Sequence, residues 1–407
     1  MKFQELITSI NEKHRRKFLR ILHAVLLNPG ISRSSLIKQL DLSKNNITDT
    51  INAMLDKSLL CEKSVLLETS CVGRPPIGLF LPPDLFYMLG AVMTLEEANL
   101  VLTDANNQII DSRPLYNEGT IPQRFLEEIR QKVTSLLKNI CRDRVMGIGA
   151  ALPGVMDFSS GQVFFSQAFW NVDNLNLKTF FNQNFELDSF FINVSHIHTV
   201  MEKMYGGAKN MDNFITVNEG LGIGMFFNGQ LYQGWQSHAG ELGYMKITED
   251  KNVSIDGRNG LLYDRAIFGK IGRQIVDFVK GGGKVKIDKK FLHSRDYVSV
   301  QHVVSAVENG DKYVAQLLRE CFSYIGDAIV NVAYLLNPEA IFFPQWTAGC
   351  PECTVDIVRE KMRSYGCPDW PLKTKIMISS NDSMCMAKTA AYLFAKTLFE
   401  KYICEGF

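Results

Sequence analysis

Two short amphipathic helices separated by a tight turn, within residues 31–57, constrain this chain more than any other feature. The first helix is predicted over Ile31–Leu40, and Asp41-Leu42 forms the turn before a second helix over Lys44–Lys57. Apolar residues of the second helix recur at i, i+4, i+7 and i+8, the spacing of one buried face: Ile47, Ile51, Met54 and Leu55. This arrangement predicts a helix-turn-helix, whose second helix enters the major groove of DNA.

A hairpin follows the two helices, with strands predicted over Leu59–Leu66 and Ile77–Leu81. Its tip holds Gly73-Arg74-Pro75-Pro76, in which the prolines fix an extended backbone and the glycine permits close approach to another surface. An arginine presented in this way suits a narrow A·T-rich minor groove, and an ordinary solvated turn is the alternative. The hairpin completes the pattern of a winged helix-turn-helix, with Arg74 as its candidate minor-groove contact.

The polar face of the second helix carries side chains that can hydrogen-bond to base edges and phosphates. Ser43 is the candidate N-cap of this helix, and Arg33 lies near the start of the preceding one. The expected contacts to a double-stranded DNA operator are therefore Arg33, Ser43, Lys44, Asn45, Asn46, Thr48 and Arg74.

The distribution of charge agrees with a DNA-binding head. Residues 1–80 hold 12 Lys or Arg against 7 Asp or Glu, whereas the whole chain has a net charge of only +1. A further helix is predicted over Lys13–Leu27, ahead of the helix-turn-helix. Its basic residues either contact phosphates or form a solvated face: Lys13, Arg15, Arg16, Lys17 and Arg20.

Bulk composition bounds the remaining possibilities. At 407 residues, 46% hydrophobic and 21% charged, the chain is a globular protein long enough for about three domains. We predict a cytoplasmic protein without a membrane partner, because no export signal is present and no apolar run approaches the ~20 residues that span a bilayer. The nine scattered cysteines then predict reduced thiols. Cys350 and Cys353 have metal-ligand spacing, but no fourth ligand is evident, so neither a metal nor a cofactor is expected.

A glycine-rich stretch in the body is the second informative feature. Glu219-Gly-Leu-Gly-Ile-Gly224 precedes Ala239-Gly-Glu-Leu-Gly243, and alternating glycines can free backbone amides to face an anion or a sugar hydroxyl. Together with Gly147–Asp157, Trp170-Asn171 and Leu336–Ile341, this stretch resembles the ROK (repressor, open reading frame, kinase) family. A winged helix with Gly-Arg-Pro-Pro is characteristic of the repressor branch of that family.

Strand-like segments alternate with helical ones along the body, which predicts an α/β fold. The resemblance implies an N-terminal winged helix-turn-helix followed by a two-lobed actin-like ATPase (ROK) fold, commonly in homodimers or larger oligomers. We place the DNA-binding domain at residues 1–81 with a linker to about 86, the first lobe at 87–200, and the second lobe with a dimerisation surface at 201–383. A C-terminal helix over 384–403 is expected to pack on the first lobe.

The resemblance also permits a check of sugar-kinase chemistry. Family kinases hold ATP phosphates in an Asp-x-Gly-Gly-Thr loop, whose acid position is Val92 here. Their catalytic base is the aspartate of an Asn-Asp pair, but Asn193 is followed by Val194, which cannot accept a proton. A Gly-Gly turn near the adenine is replaced by Pro344-Gln345. These three losses predict that the chain is not an enzyme.

The zinc site of the family is also altered. Gly257 and Gly260 persist in the zinc loop, whereas the four ligand positions hold Tyr244, Ser254, Asp256 and Leu261. Loss of every ligand predicts that no metal binds there. His196 and His198, which lie close to Asn193, are expected to be structural.

The sugar pocket of the family is partly retained. By resemblance, Asn193 and Glu241 match sugar contacts, while Tyr244 and Tyr263 replace a histidine and a glutamate. The expected effector is a sugar or sugar phosphate, because aromatic rings stack on the apolar face of sugar rings. Its expected contacts are Asn193, Glu241, Tyr244, Gly154 and Asn171. The alternative is a collapsed pocket in which Glu241 caps or hydrogen-bonds locally.

These features together predict a homo-oligomeric transcriptional regulator, a repressor of carbohydrate-use genes that a sugar releases from its operator. Two alternatives stay open. One is a sugar kinase with an attached DNA module, which the retained Gly220-Leu-Gly-Ile-Gly224 loop supports. The other is a ligand-blind regulator that a protein partner controls.

Overall fold

The N-terminal head consists of helices followed by a two-stranded wing. In the computed structural model its elements are α1 Phe3–Thr8, α2 Glu12–Leu27, α3 Arg33–Leu40, α4 Lys44–Asp56, β1 Cys61–Ser64 and β2 Ile77–Phe80. α3 begins two residues later than its apolar pattern predicts, because Ile31 forms a β-bridge with Leu79 and the Ser32 hydroxyl accepts a hydrogen bond from Ser35 N (3.1 Å). The sequence pattern did not predict α1.

The structure describes residues 3–40, 44–65, 76–93, 98–115, 122–165, 175–249, 259–266, 268–293, 298–365, 373–380 and 382–405. Within these ranges, no helix combines the length and the apolar character that crossing a bilayer requires. The described chain forms an N-terminal unit, residues 1–192 with 383–407, and a central unit, residues 193–382.

The sheet of the N-terminal unit has the strand order β5-β4-β3-β6-β9. Its strands and a neighbouring hairpin are β3 Tyr87–Met93, β4 Ala98–Asp104, β5 Ile109–Leu115, β6 Val145–Leu152, β7 Val155–Asp157, β8 Gln162–Phe165 and β9 Asp188–Asn193. The helices are α5 Pro122–Leu137, α6 Leu177–Phe185 and, at the C terminus, α14 Ser383–Glu405. α14 lies directly on β3 and β6, since a Cβ on Gly90 would be 2.0 Å from Ala387 O and one on Gly149 1.9 Å from Ala390 O.

The head shares one hydrophobic core with α14. Ile47 and Ile51 of α4 are fully buried, as their spacing predicts. The rings of Phe3, Phe86 and Phe399 lie with their centroids 5.2, 5.6 and 6.0 Å apart. Burial of each ring stabilises the fold by roughly 1.5–3 kcal/mol. The head is therefore continuous with the body sheet rather than a separately packed module.

The sheet of the central unit has the strand order β12-β11-β10-β13-β14. Its strands are β10 Phe214–Val217, β11 Ile223–Phe227, β12 Gln230–Tyr232, β13 Ala340–Phe343 and β14 Lys375–Ile378. The helices are α7 Val194–Met204, α8 Leu262–Ala266, α9 Phe268–Lys280, α10 Lys289–His293, α11 Val300–Glu308, α12 Lys312–Leu336 and α13 Val355–Ser364. α12 starts where Asp311 caps it by accepting hydrogen bonds from Tyr313 N and Val314 N, both at 3.1 Å.

The two units do not divide the chain at the positions placed from sequence. The sequence-based boundary between the lobes follows residue 200, whereas the central unit already begins at Asn193. α7 belongs to the central unit because it packs tightly on β11, where a Cβ on Gly224 would be 2.4 Å from Ser195 O.

Candidate DNA interface and ligand site

The structure locates only part of the predicted DNA contacts. Ser43 and Arg74 lie outside the described residues, and so do the side chains of Lys44, Asn45 and Asn46. Thr48 lies on α4 and is half-buried. α4 therefore has the position that the helix-turn-helix pattern predicts, and the details of its polar face stay a prediction.

Arg33 is engaged inside the head. Its Nε donates to Glu62 Oε1 (2.8 Å) on β1, and one terminal nitrogen donates to Asn52 Oδ1 (2.9 Å) on α4. The side chains of Arg33 and Glu62 are each 32% exposed. The arginine predicted as a DNA contact thus links α3, α4 and β1 of the head.

Two basic residues of α2 stabilise helix ends. Arg15 donates to Thr8 O (2.8 Å) and Ile10 O (3.2 Å) at the end of α1. Arg20 donates to Leu40 O (3.2 Å) at the end of α3. Because these guanidinium groups serve carbonyls of the head, the exposed Arg16 is the better phosphate candidate on α2.

The glycine-rich loop of the central unit uses its amides internally. Gly222 N donates to Asn218 Oδ1 (2.9 Å), Leu221 N to Asn218 O (3.2 Å) and Ile223 N to Gly240 O (2.7 Å). These three successive amides already have acceptors within the protein, so they do not point freely at an anion. The loop therefore lacks the open row of donors that a phosphate cradle requires.

Packing explains two of the alternating glycines. A Cβ on Gly222 would be 2.5 Å from Ser195 Oγ, and one on Gly224 would be 1.8 Å from Thr199 Oγ1. Both contacts come from α7, whose Ser195 hydroxyl also accepts a hydrogen bond from Asn218 Nδ2. The glycines let α7 approach the strands, a reason for the motif that the sequence alone did not reveal.

Asn193 caps α7. Its Oδ1 accepts a hydrogen bond from Ser195 N (2.8 Å), and the residue is 9% exposed. Asn193 is a predicted sugar contact, and its side-chain oxygen bonds within the helix cap. The Nδ2 amide group takes no part in that hydrogen bond.

His196 connects α7 to the loop that carries Glu241. Its Nε2 lies 3.3 Å from Ala239 O, whereas the buried Nδ1 has no hydrogen-bond partner among the described residues. Burial lowers the pKa of His196, and the nearby His238 lowers it further. The lowered pKa keeps the His196 ring neutral near pH 7.

His198, two residues further along, belongs to a satisfied network. Its Nε2 is 3.3 Å from Ser379 Oγ, which donates to Glu202, and Glu202 Oε2 accepts from Gly207 N (3.0 Å). Burial lowers the pKa of His198 to about 4, so the ring is neutral near pH 7. The described residues contain no cluster of His, Cys, Asp and Glu side chains suited to a metal ion.

Glu241 does not serve as a local cap. Its carbonyl accepts from Tyr244 N (3.1 Å) at the 3-10 turn Leu242–Tyr244, but its side chain makes no capping hydrogen bond. Desolvation by the surrounding protein raises the pKa of this carboxyl, and His238 partly opposes the effect. The side chain of Glu241 therefore does not cap this turn, and the choice between a sugar contact and a collapsed pocket stays a prediction.

The two tyrosines at the altered zinc and sugar positions form a stacked pair. The rings of Tyr244 and Tyr263 are parallel to within 7°, with centroids 6.0 Å apart, and Tyr244 is 43% exposed. Gly154 lies in the N-terminal unit with a φ of 111°, and Asn171 lies outside the described residues. The central unit thus groups Glu241 and an exposed aromatic face on one short segment.

The two cysteines with metal-ligand spacing are both buried. Cys350 is 1% exposed and Cys353 is fully buried. Burial raises the pKa of the Cys350 thiol to about 12 and also raises that of Cys353. Both groups are therefore neutral thiols near pH 7.

A family model for the ROK family matches residues 92–365. The chain is 23% identical to the xylose repressor of Bacillus subtilis (strain 168), over 83% of this chain and 82% of that protein. It is 20% identical to the DNA-binding transcriptional dual regulator NagC of Escherichia coli (strain K12), over 76% of this chain and 75% of that protein.

Solved structures show the same fold. A ROK family transcriptional regulator, a homolog of the E. coli MLC protein, matches 97% of this chain and 99% of its own, with a TM-score of 0.72 and 22% identity. A ROK family glucokinase from Streptomyces griseus, in complex with glucose and AMPPNP, matches 75% of this chain and 98% of its own, with a TM-score of 0.61 and 18% identity. These likenesses confirm the predicted α/β fold with an N-terminal helix-turn-helix, and the chain belongs to the ROK family.

Proposed function

We propose that this protein is a DNA-binding transcriptional repressor of carbohydrate-use genes, gated by a sugar or sugar derivative. One observation carries the proposal: α3, α4 and the β1–β2 wing precede a ROK body, in a fold that matches a ROK transcriptional regulator over 97% of the chain. The name of the related xylose repressor of Bacillus subtilis supports the carbohydrate class.

In this proposal α4 enters the major groove and the wing tip, with Arg74, enters the minor groove. Helix-turn-helix proteins read paired half-sites as dimers, so we propose a cytoplasmic homodimer or larger homo-oligomer. A sugar bound at Asn193, Glu241 and Tyr244 favours one arrangement of the protein over another. Differential affinity for the two arrangements then changes the spacing of the paired heads and hence operator affinity.

A sugar kinase is the second candidate, since the fold is shared with a glucokinase. Two features of the central unit argue against phosphoryl transfer: Val194 cannot act as a base, and the amides of residues 221–223 are engaged within the loop. We therefore propose that the protein is not an enzyme. ATP-dependent sugar phosphorylation by the purified protein would favour the kinase.

A regulator controlled only by a protein partner is the third candidate. A sugar that binds the folded state must raise the thermal midpoint of unfolding, because it stabilises the native protein by mass action. A stability that no sugar raises would favour this candidate.

Footprinting on DNA from upstream of its own gene, in a salt series and with a sugar panel, tests the proposal. The expected result is a specific footprint that one sugar releases. Absence of any specific footprint would overturn the DNA-binding role, whereas a footprint indifferent to every sugar would remove only the sugar gate.

A further inference from the structure

Arg33 closes a ring of contacts around the base of the wing. Ile31 pairs with Leu79 of β2 in a β-bridge, and Gly30 N donates to Leu79 O (2.8 Å). Leu79 in turn lies opposite Glu62 in the β1–β2 register. Arg33, two residues after Ile31, returns to Glu62 through its Nε (2.8 Å). The start of α3 and the wing are thus joined by backbone and side-chain contacts.

The same guanidinium reaches α4, the recognition helix. Its second donor group bonds to Asn52 Oδ1 (2.9 Å) in the middle of that helix. A planar guanidinium holds its donors in a fixed fork, so bonds to two acceptors constrain the direction between them. In this case the two acceptors lie on the recognition helix and on the wing, the two elements that have to fit adjacent DNA grooves together.

Neither global stability nor charge explains this arrangement well. Half-exposed ion pairs contribute little to stability, because solvent screens them. Glu62 already neutralises the charge that Arg33 would offer to a phosphate. What the three side chains do provide is a defined angle between α4 and β1.

We propose that Arg33 is a positioning residue that sets this angle, and that it acts through Asn52 and Glu62 rather than by contacting a phosphate. The inference rests on the proposed DNA-binding function. It deepens that function by assigning the fit of helix and wing to one side chain outside both DNA-contacting surfaces.

The test compares full-length Arg33→Ala, Glu62→Gln and the charge swap Arg33→Glu/Glu62→Arg. For each, the operator affinity, the affinity for unrelated DNA and the slope of log K against log salt concentration are measured. The proposal predicts that both single variants lose about tenfold in operator affinity, roughly the worth of one base contact. It also predicts an unchanged salt slope, unchanged binding to unrelated DNA, and recovery of most affinity in the swap.

A direct phosphate contact predicts different results. Arg33→Ala would then reduce the salt slope by about 0.9 and weaken binding to all DNA, and Glu62→Gln would strengthen binding. Either result would overturn the inference. Arg130→Ala is the matched control, because Arg130 forms a comparable exposed pair with Glu127 on α5 (2.6 Å) and should leave DNA binding unchanged.

The wild-type protein separates this inference from the proposed function. If the wild type binds no operator specifically, the DNA-binding proposal fails. If the wild type binds and the single variants bind equally well, with thermal midpoints equal to that of the wild type, only the positioning role fails.

Discussion

The head and the α7 region of the central unit treat their polar groups in opposite ways. In the head, Arg33 and Glu62 stay one-third exposed and span separate elements. On α7, Thr199 is fully buried, and its Oγ1 lies 2.7 Å from Thr216 Oγ1. The Arg33–Glu62 pair thus stays partly open to solvent, whereas the Thr199–Thr216 contact belongs to a packed scaffold around α7.

The largest expected effect concerns the packing of α7 against Gly224 in the scaffold. Gly224→Ala places a Cβ 2.4 Å from the backbone oxygen of Ser195, so we expect a loss of about 3 kcal/mol in the free energy of unfolding. Gly220→Ala is the control, since its nearest neighbour is Asn218 Oδ1 at 3.5 Å. Denaturant unfolding measures both. Equal stability of the two variants would contradict the packing role of the glycine at 224.

A fall in pH should lower the stability of the protein, because His198 takes up a proton more readily in the unfolded state. Its folded pKa of about 4 lies below the unfolded value of about 6.5, so the unfolded state takes up the proton first. This contribution to stability is complete above pH 6.5 and is lost as the pH falls towards 4, with a total on the order of 3 kcal/mol. Thermal midpoints across this range should fall less steeply in His198→Gln than in the wild type. An unchanged slope in the variant would count against the buried neutral ring.

The next prediction concerns the carboxylate of Glu241, a proposed sugar contact in the central unit. Removing a charged hydrogen-bond acceptor costs about 1.5–3 kcal/mol, so Glu241→Ala should abolish the sugar response. Operator affinity should stay intact, because the residue lies in the central unit. Glu249→Ala is the control, since Glu249 is exposed and pairs with Lys246 (2.8 Å). Calorimetric titration with the inducing sugar would measure the change, and normal binding by Glu241→Ala would sink the proposed site.

The smallest effect concerns the head surface. Arg74→Ala should weaken operator binding by about 1 kcal/mol, and most strongly where the flanks are A·T-rich, because narrow minor grooves attract arginine. Affinities for operators with A·T-rich and G·C-rich flanks measure the difference. An equal loss on both would remove the minor-groove role.

The sequence predicted the elements whose pattern is local. Periodic apolar residues predicted a helix over Lys44–Lys57, and the structure has α4 at Lys44–Asp56. Local patterns also predicted the order of two helices and two strands in the head, which the structure has as α3, α4, β1 and β2.

The sequence patterns did not predict contacts between residues that are far apart in the chain. The glycines at 222 and 224 suggested a ligand loop, yet they make room for Ser195 and Thr199 of α7, which lie more than 20 residues earlier in the chain. The pairing of Arg33 with Glu62 across 29 residues has no periodic signature either. The absence of side-chain capping by Glu241 depends on the fold of its turn, which periodicity does not determine.

Reciprocal binding tests the central claim, a repressor gated by a sugar, most directly. If the sugar weakens operator affinity by some factor, thermodynamic linkage requires the operator to weaken sugar affinity by the same factor. Sugar titrations of the free protein and of the operator complex measure this factor. The account predicts weaker sugar binding to the complex, by the factor seen in DNA binding, and an equal sugar affinity in both states would contradict it.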